Sequence, residues 1–301
     1  MRVIILGSAA GGGLPQWNCG CGNCQDARLS GTGRTQSSVA LSADGARWVL
    51  LNASPDLRVQ VAAHPELWPR GARATPICAV VCTDGEIDHT LGLLLLREST
   101  TRLPVYAPAS VAGLLEREWP VFRVLSAYAG IEPRPLPEGQ PVRLADAMGA
   151  TLGISCTAVA VARRPPRYAR QSAAGTYDVG LRLMDEHRGG TLAYVPAAGA
   201  VDDAVRSVAA GAGLLLFDGT FWSDGELRAA GADAPTAREM GHLPVGGPGG
   251  SIELLPRLGA RRTVLVHINN TNPILSRSSS ERAQVEEAGI EVADDGMEIE
   301  L

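Results

Sequence analysis

The chain of 301 residues contains no lysine; all 27 of its basic residues are arginine. That absence excludes a Schiff-base lysine, a pyridoxal-phosphate anchor and the lysine of a phosphate-binding loop. Histidine is scarce too, with five residues at positions 64, 89, 187, 242 and 267. Any metal or acid–base site must therefore draw on these five, on carboxylates or on the six cysteines. Long apolar runs are also missing. The longest, Leu91 to Leu96, stops at Arg97, well short of the roughly 20 residues a membrane span needs. The amino-terminal MRVIILGSAAGGG is too short in its apolar part for a signal peptide. Excess positive charge is absent as well: the net charge is −5, with no run of like charges longer than a few residues, which leaves no electrostatic footprint for nucleic acid. The expectation is a soluble, cytoplasmic protein with neither nucleic acid nor membrane as partner. In a reducing compartment, clustered cysteines argue for metal rather than disulfides.

What is present is enough apolar sequence, 45% of residues, to bury one sizeable core. Arg2 to Gly7 reads as a buried strand, and Ser37 to Ser42 with Arg47 to Leu51 as a hairpin about Asp44-Gly45. Pro55 to Ala63 reads as a helix capped by Ser54, Ile77 to Thr83 as a central strand, and Asp88 to Arg97 as a helix. Strands are expected at 153–162, 178–184, 191–195, 213–217 and 262–267, with helices at 202–210, 248–258 and 279–288. Strand pairs followed by alternating strands and helices predict an α/β layer architecture in one domain over residues 1–301.

Three motifs carry chemistry. Cys19-Gly20-Cys21-Gly22-Asn23-Cys24 places three thiols within six residues on a glycine-rich loop, close enough to share one zinc ion. Cys78, Cys82 and Cys156 lie in apolar strand-like runs and are expected as buried small hydrophobes. The second motif, Cys82-Thr83-Asp84-Gly85-Glu86-Ile87-Asp88-His89, sets four ionisable groups between a strand end and a helix start. The third is Val264-Leu265-Val266-His267 followed by Ile268-Asn269-Asn270-Thr271-Asn272-Pro273, a histidine at the end of an apolar strand. Two histidines with Asp88 match the two-histidine, one-carboxylate set that leaves open positions on iron(II), although such ligands also suit zinc, manganese or copper. Asp218 ends a strand and His242 follows in Met240-Gly241-His242; both are weaker candidates for the same rim. His64 and His187 are expected at the surface.

An aspartate–histidine loop after a strand, with a late strand ending in histidine, resembles the metallo-β-lactamase fold, an αβ/βα four-layer sandwich. The cysteine motif and the ending DGMEIEL are similar to the branch that includes the cyclic phosphodiesterase of phosphonate breakdown. The stretches GSAAGGGLPQWNCGCGNC, RTQSS, NASPD, IDHTLGL, EMGHL, GPGG and HINNTNPIL more closely resemble a bacterial family of pyrroloquinoline quinone biosynthesis.

The resemblance implies residue roles. Cys19, Cys21 and Cys24 match structural zinc ligands, with Asn270 standing where relatives place a histidine as fourth donor. Asp88, His89 and His267 match the ligands of the fold's second metal site. The first site lacks its partners: Asp84 and Glu86 replace two histidines, and Tyr194-Val195-Pro196 lacks the bridging aspartate. The implied activity is an iron(II)-dependent hydroxylation of the tyrosine-derived ring in a cross-linked glutamate–tyrosine precursor cut from a peptide. Asp218, His242, Asp84 and Glu86 would orient substrate or move protons, and arginines such as Arg163 or Arg164 would pair its carboxylates. A carrier that transports the quinone or its precursor, and a phosphodiesterase-like hydrolase, are the alternative readings. Implied partners are the precursor, molecular oxygen, a second copy of the chain and other proteins of the same biosynthesis.

Overall fold

Fourteen short strands, rich in valine, leucine and isoleucine, alternate with ten α-helices among the described residues; the computed structural model describes residues 1–301 apart from 163, 164, 170 and 172–174. The first sheet takes β1 (Arg2–Gly7), β2 (Ser38–Ser42), β3 (Trp48–Leu51), β4 (Ile77–Val81), β5 (Leu103–Ala107) and β6 (Ile131–Pro135). The second takes β7 (Pro141–Ala145), β8 (Thr151–Ala162), β9 (Asp178–Asp185), β10 (Thr191–Val195), β11 (Leu214–Asp218), β12 (Thr263–Val266) and β13 (Glu291–Val292). The last strand, β14 (Met297–Glu300), returns to the first sheet, whose order is β14-β1-β2-β3-β4-β5-β6; the second runs β13-β12-β11-β10-β9-β8-β7. Both sheets are mixed. Strands β3 to β6 run parallel, as do β10 to β13, while β1 to β3 and β7 to β10 pair antiparallel.

Period-two alternation decides which side chains meet. Val3, Ile5, Val39, Leu41, Val49, Leu51 and Val81 face Leu181, Leu183, Leu192, Tyr194, Leu214, Leu216 and Val264 across the sheet interface. The intervening residues Ile4, Leu6, Leu50 and Val80 turn outward under α2 (Leu57–Ala63), α4 (Ala109–Arg117) and α5 (Val121–Leu125). On the far side Val195, Leu215, Phe217 and Leu265 turn under α6 (Asp203–Ala209) and α10 (Ser280–Glu287). Strands covered on both faces read as continuous apolar runs, as they do here. The result is the expected αβ/βα sandwich. Each fully buried large aliphatic side chain in the central layer contributes about 1.5–3 kcal/mol.

Several local expectations shift for identifiable reasons. Helix α2 begins at Leu57, with Asp56 rather than Ser54 at its N-cap. Ser54 Oγ instead accepts from the Asp56 amide at 3.2 Å and donates to Gln60 at 3.0 Å, while the Asp56 carboxylate accepts from the Gln36 backbone and side chain. The helix expected over 88–97 is a single turn, α3 (Ile87–Thr90), followed by a 3₁₀ segment, Leu91–Glu98. Gly92 explains the change: its amide donates to Ala53 O at 2.9 Å, drawing the chain against the 53–54 backbone. The expected helix at 248–258 starts only at Ser251, with α9 (Ser251–Leu254), and tightens to 3₁₀ at Leu255–Leu258, where Pro256 lacks the amide an α-helix requires. His64, expected at the surface, is buried at 9% exposure against Gly296; His187 is exposed. The helix α1 (Gly22–Ser30) was not anticipated, since its few apolar residues give it no clear amphipathic stripe. No helix among the described residues is long and apolar enough to cross a membrane.

Candidate metal centre

The strand ends converge at one rim, where parallel strands leave their carboxyl ends and ligands characteristically bind. Behind β4 the segment 83–89 carries Asp84, Glu86, Asp88 and His89; behind β11 come Asp218 and Thr220; behind β12 comes His267. The loop after β1 closes the rim from below: Ile268 N donates to Ser8 O and Ala10 N to Ile268 O, each at 2.9 Å. Ala53 N donates to His89 O at 2.7 Å, which ties α3 to the first sheet.

Asp88, His89 and His267 offer donor atoms within 4.8 Å of one another. Asp88 Oδ2 lies 3.4 Å from His267 Nε2 and 3.9 Å from His89 Nε2. Metal–ligand bonds of about 2.1 Å imply donor–donor edges of about 3.0–3.4 Å, so the triangle is close to the size an ion requires. His89 Nε2 is buried and has no hydrogen-bond partner among the described residues. A buried nitrogen left so costs about 1–3 kcal/mol, and a metal ion would satisfy it. The opposite ring nitrogens are held from behind: Asp84 Oδ2 lies 2.7 Å from His89 Nδ1, and Thr220 Oγ1 lies 2.8 Å from His267 Nδ1. This outer support fixes ring orientation and leaves Nε2 for the ion. His267 has φ +57°, an uncommon value for a residue with a side chain. Strain of that kind persists where surrounding contacts hold it, and it clusters at functional sites.

Electrostatics reinforce the geometry. Burial alone lowers the His89 pKa, but Asp84 and Asp88 outweigh it and carry it up to about 10. Burial pushes the Asp88 and Asp84 carboxyls up, yet the neighbouring histidines bring both below the usual range. Glu86 is raised to about 7, by burial first and then by Asp84 and Asp88. Without an ion, the acids around His89 thus favour its charged form.

Asp218 and His242 sit beside this triangle. Asp218 Oδ2 is 2.7 Å from His242 Nδ1, Thr220 Oγ1 donates to Asp218 Oδ1 at 2.6 Å, and His242 stacks on His267 with ring centroids 5.6 Å apart. Asp218, His242 and His267 also have donors within 4.8 Å of one another. The Asp218 and Nδ1 donors of this second group are already joined through hydrogen bonds, unlike the open Nε2 of His89.

All four ionisable candidates of the 84–89 loop thus come together with His242 and His267 around a cavity of about 520 Å³, with Asp218 behind His242. Asp84 stands behind His89 with both oxygens engaged, its Oδ1 accepting from the Glu86 amide at 2.9 Å. The sequence reading missed Thr220, which links three site residues, and Asp178, a cavity acid raised to about 8 by burial and then by Asp84 and Glu86. Thr220 follows a strand-end aspartate by two residues, a usable signal; Asp178 opens a strand and gives none. Arg163 and Arg164 lie outside the described residues.

The three thiols form a separate cluster, with Cys19, Cys21 and Cys24 sulfurs within 4.8 Å of one another. The Asn270 side-chain amide lies 3.0, 3.6 and 3.3 Å from these sulfurs. Asn23 Nδ2 donates to Asn270 O at 3.0 Å and Asn272 O at 2.9 Å, and Arg28 donates to Cys19 O and Gln16 O, both at 2.7 Å. The cysteine loop is thereby locked to the segment that follows His267. Burial pushes the Cys21 thiol up to about 11. For Cys19 burial pushes upward as well, but hydrogen bonds from Cys21, Cys24 and Asn270 bring it below the ordinary thiol value. Cys82 and Cys156 are buried, as expected, whereas Cys78, also expected to be buried, is half-buried.

Comparison with known proteins agrees with this architecture. Residues 47–268 match the model of the beta-lactamase superfamily domain. Coenzyme PQQ synthesis protein B of Cupriavidus necator is 46% identical over 306 residues, covering 99% of each chain. The protein of the same name from Methylococcus capsulatus is 45% identical over the whole of both chains. The crystal structure of zinc-bound PqqB from Methylobacterium extorquens superposes with TM-score 0.89 at 40% identity, covering all of both chains. A diphosphatase of the PhnP family, 23% identical with TM-score 0.69, shares the fold. The chain belongs to the coenzyme PQQ synthesis protein B family, built on a beta-lactamase superfamily domain.

Proposed function

We propose that the chain acts in pyrroloquinoline quinone biosynthesis as a metal-dependent oxygenase of a small precursor. The precursor would be the cross-linked glutamate–tyrosine unit derived from a peptide. The observation that carries this reading is the open triangle of Asp88 Oδ2, His89 Nε2 and His267 Nε2, with His89 Nε2 buried and unpartnered. These residues would hold one divalent ion on one face. Iron(II) in such a site supplies the activation of molecular oxygen. The balanced reaction turns one ring C–H into C–OH, releases the second oxygen atom as water, and draws two electrons and two protons, the electrons from an external reductant.

The other residues have defined tasks. Asp84 and Thr220 position the two histidine rings. His242, held through Nδ1 by Asp218, presents its other nitrogen to move a proton at the substrate hydroxyl. Glu86, raised to about 7, holds or releases a proton near neutral pH. The apolar wall around Phe221 excludes water from one side of the cavity. Cys19, Cys21 and Cys24 would hold a structural zinc, with Asn270 as the fourth residue around it. A dinuclear hydrolase fits less well, because Asp84 is engaged behind His89 where that chemistry needs a first-site ligand.

The test is anaerobic iron(II) loading of the wild type, His89→Ala and His267→Ala, followed by exposure to oxygen and precursor. Iron content and the gain of one oxygen in product mass should both fall in the variants. Unchanged iron content and turnover in both variants would overturn the assignment, and stoichiometric precursor binding with no change in mass would replace it with a carrier.

A further inference from the structure

The cavity above Asp88 and His89 is acidic at its floor, where Asp84, Glu86, Asp88 and Asp178 gather. In a chain without lysine, arginine and protonated histidine are the cationic side chains that can receive an anion there. Among the described residues two arginines line the cavity, Arg167 and Arg238. They come from separate elements: Arg167 opens the 3₁₀ turn Arg167–Ala169, and Arg238 lies in the short helix Ala237–Met240. Both are exposed, and the guanidinium of neither has an ion-pair or hydrogen-bond partner among the described residues. Other arginines near the rim of the fold are engaged, such as Arg28 with two carbonyls and Arg34 with Asp294.

We propose that Arg167 and Arg238 are the specificity-determining residues of the cavity and select a small polycarboxylate. Each guanidinium fork receives one carboxylate. This anchoring orients the ligand in one sense, with its carboxylates toward the arginines and its uncharged ring toward Asp88, His89 and His267. This inference deepens the function proposed above and rests on it for the identity of the reacting end. The requirement for a polyanion rests on the cavity alone.

The experiment measures binding, not turnover. Pyrroloquinoline quinone, a tricarboxylate, and its neutral trimethyl ester are titrated calorimetrically into the wild type, Arg167→Gln, Arg238→Gln, the double variant and Arg257→Gln. Arg257 is exposed and outside the cavity. The acid should bind the wild type and lose about tenfold in affinity in each single variant and about a hundredfold in the double variant, by the cost of one charge-assisted pair per tenfold step. The ester should bind all five proteins alike, and Arg257→Gln should match the wild type. Equal affinity of acid and ester, undiminished acid binding in the double variant, or no acid binding by the wild type each overturns the proposal. Metal content and acid binding, measured on these samples and on His89→Ala as well, separate this failure from failure of the oxygenase reading: loss of metal in His89→Ala with unchanged anion binding leaves the arginine assignment intact.

Discussion

Replacing Asp84 by asparagine tests the support of the metal triangle without touching a metal-facing atom. Asp84 Oδ2 lies 2.7 Å from both His89 Nδ1 and Thr83 Oγ1, while Oδ1 accepts from Glu86 N at 2.9 Å. An asparagine amide can occupy this place in two ways. With nitrogen toward His89, it faces Nδ1 as a donor, so the neutral ring carries its proton on Nε2, the atom that faces Asp88 and His267. With nitrogen toward Glu86, two donors oppose one another, and a buried amide loses its acceptor at a cost of about 1–3 kcal/mol. Removing an outer-shell partner of a ligating histidine lowers metal affinity about 10–100-fold, or about 1.4–2.8 kcal/mol. The first orientation predicts the upper end, because it changes the tautomer as well as removing charge. Zinc affinity is measured by competition with a chromophoric chelator, with the thiol cluster as an internal reference in the same molecule. Asp84→Asn should weaken one zinc and leave the thiol-bound zinc unchanged. Equal affinity in wild type and variant at the histidine site would refute the argument, because it would mean that Asp84 does not set the state of His89.

Three further outcomes follow from the same geometry. The metal-free protein should lose thermal stability between about pH 6.5 and about pH 10. His89, raised from 6.5 to about 10, contributes fully below 6.5 and loses its contribution as pH rises through 10; Glu86 and Asp178, raised to about 7 and about 8, favour the folded state only while protonated. A bound divalent ion should flatten that slope in a differential scanning calorimetry series, and a metal-free Tm that rises over this range counts against the charge balance described. Gly92→Ala should lower stability by about 1–3 kcal/mol, because a Cβ there would lie 2.2 Å from Ser54 O and 2.7 Å from Ala53 O. Urea unfolding checks this. Cys24→Ser, at a fully buried sulfur, should lower zinc retention at the thiol cluster by about two orders of magnitude while leaving the histidine site loaded, as elemental analysis after dialysis against chelator will show.

Much of this arrangement is legible in residue order because strand periodicity and strand-end chemistry coincide. The runs at Ile77–Val81, Leu214–Asp218 and Thr263–Val266 are largely apolar, and each leads into a residue of the site at its carboxyl end: Asp84, Asp218 and His267. A polar residue directly after a doubly covered strand has nowhere to go but the rim, so Asp84, Asp218 and His267 could be placed together from sequence. Helix lengths could not. The 88–97 segment has the apolar content of a long helix, yet the approach of Gly92 to Ala53 is a tertiary contact that no local pattern encodes. His64 was misplaced for the same reason, since Gly296, more than two hundred residues away, covers it.

The arginine pair shows why the remaining part was hidden. Arg167 and Arg238 have no neighbouring motif, and as single charges in polar stretches they look like any of the other arginines. Their meaning comes from what they face and from what they lack. An exposed arginine beside a free carboxylate forms a weak pair worth at most about 1 kcal/mol, so leaving two unpaired above four acids costs the fold little. The same two charges, meeting a ligand's carboxylates in a cavity that excludes part of the solvent, form charge-assisted pairs of greater strength. A chain with no lysine thus concentrates its discrimination between anions and neutral molecules in a few forked donors, and their place on elements separate from the metal triangle turns simple attraction into orientation. At about pH 9, where Asp178, raised to about 8, is ionised, Asp178→Asn should tighten binding of the tricarboxylate while leaving its ester unaffected, and a loss of acid affinity in that variant would show that Asp178 holds the ligand instead of repelling it.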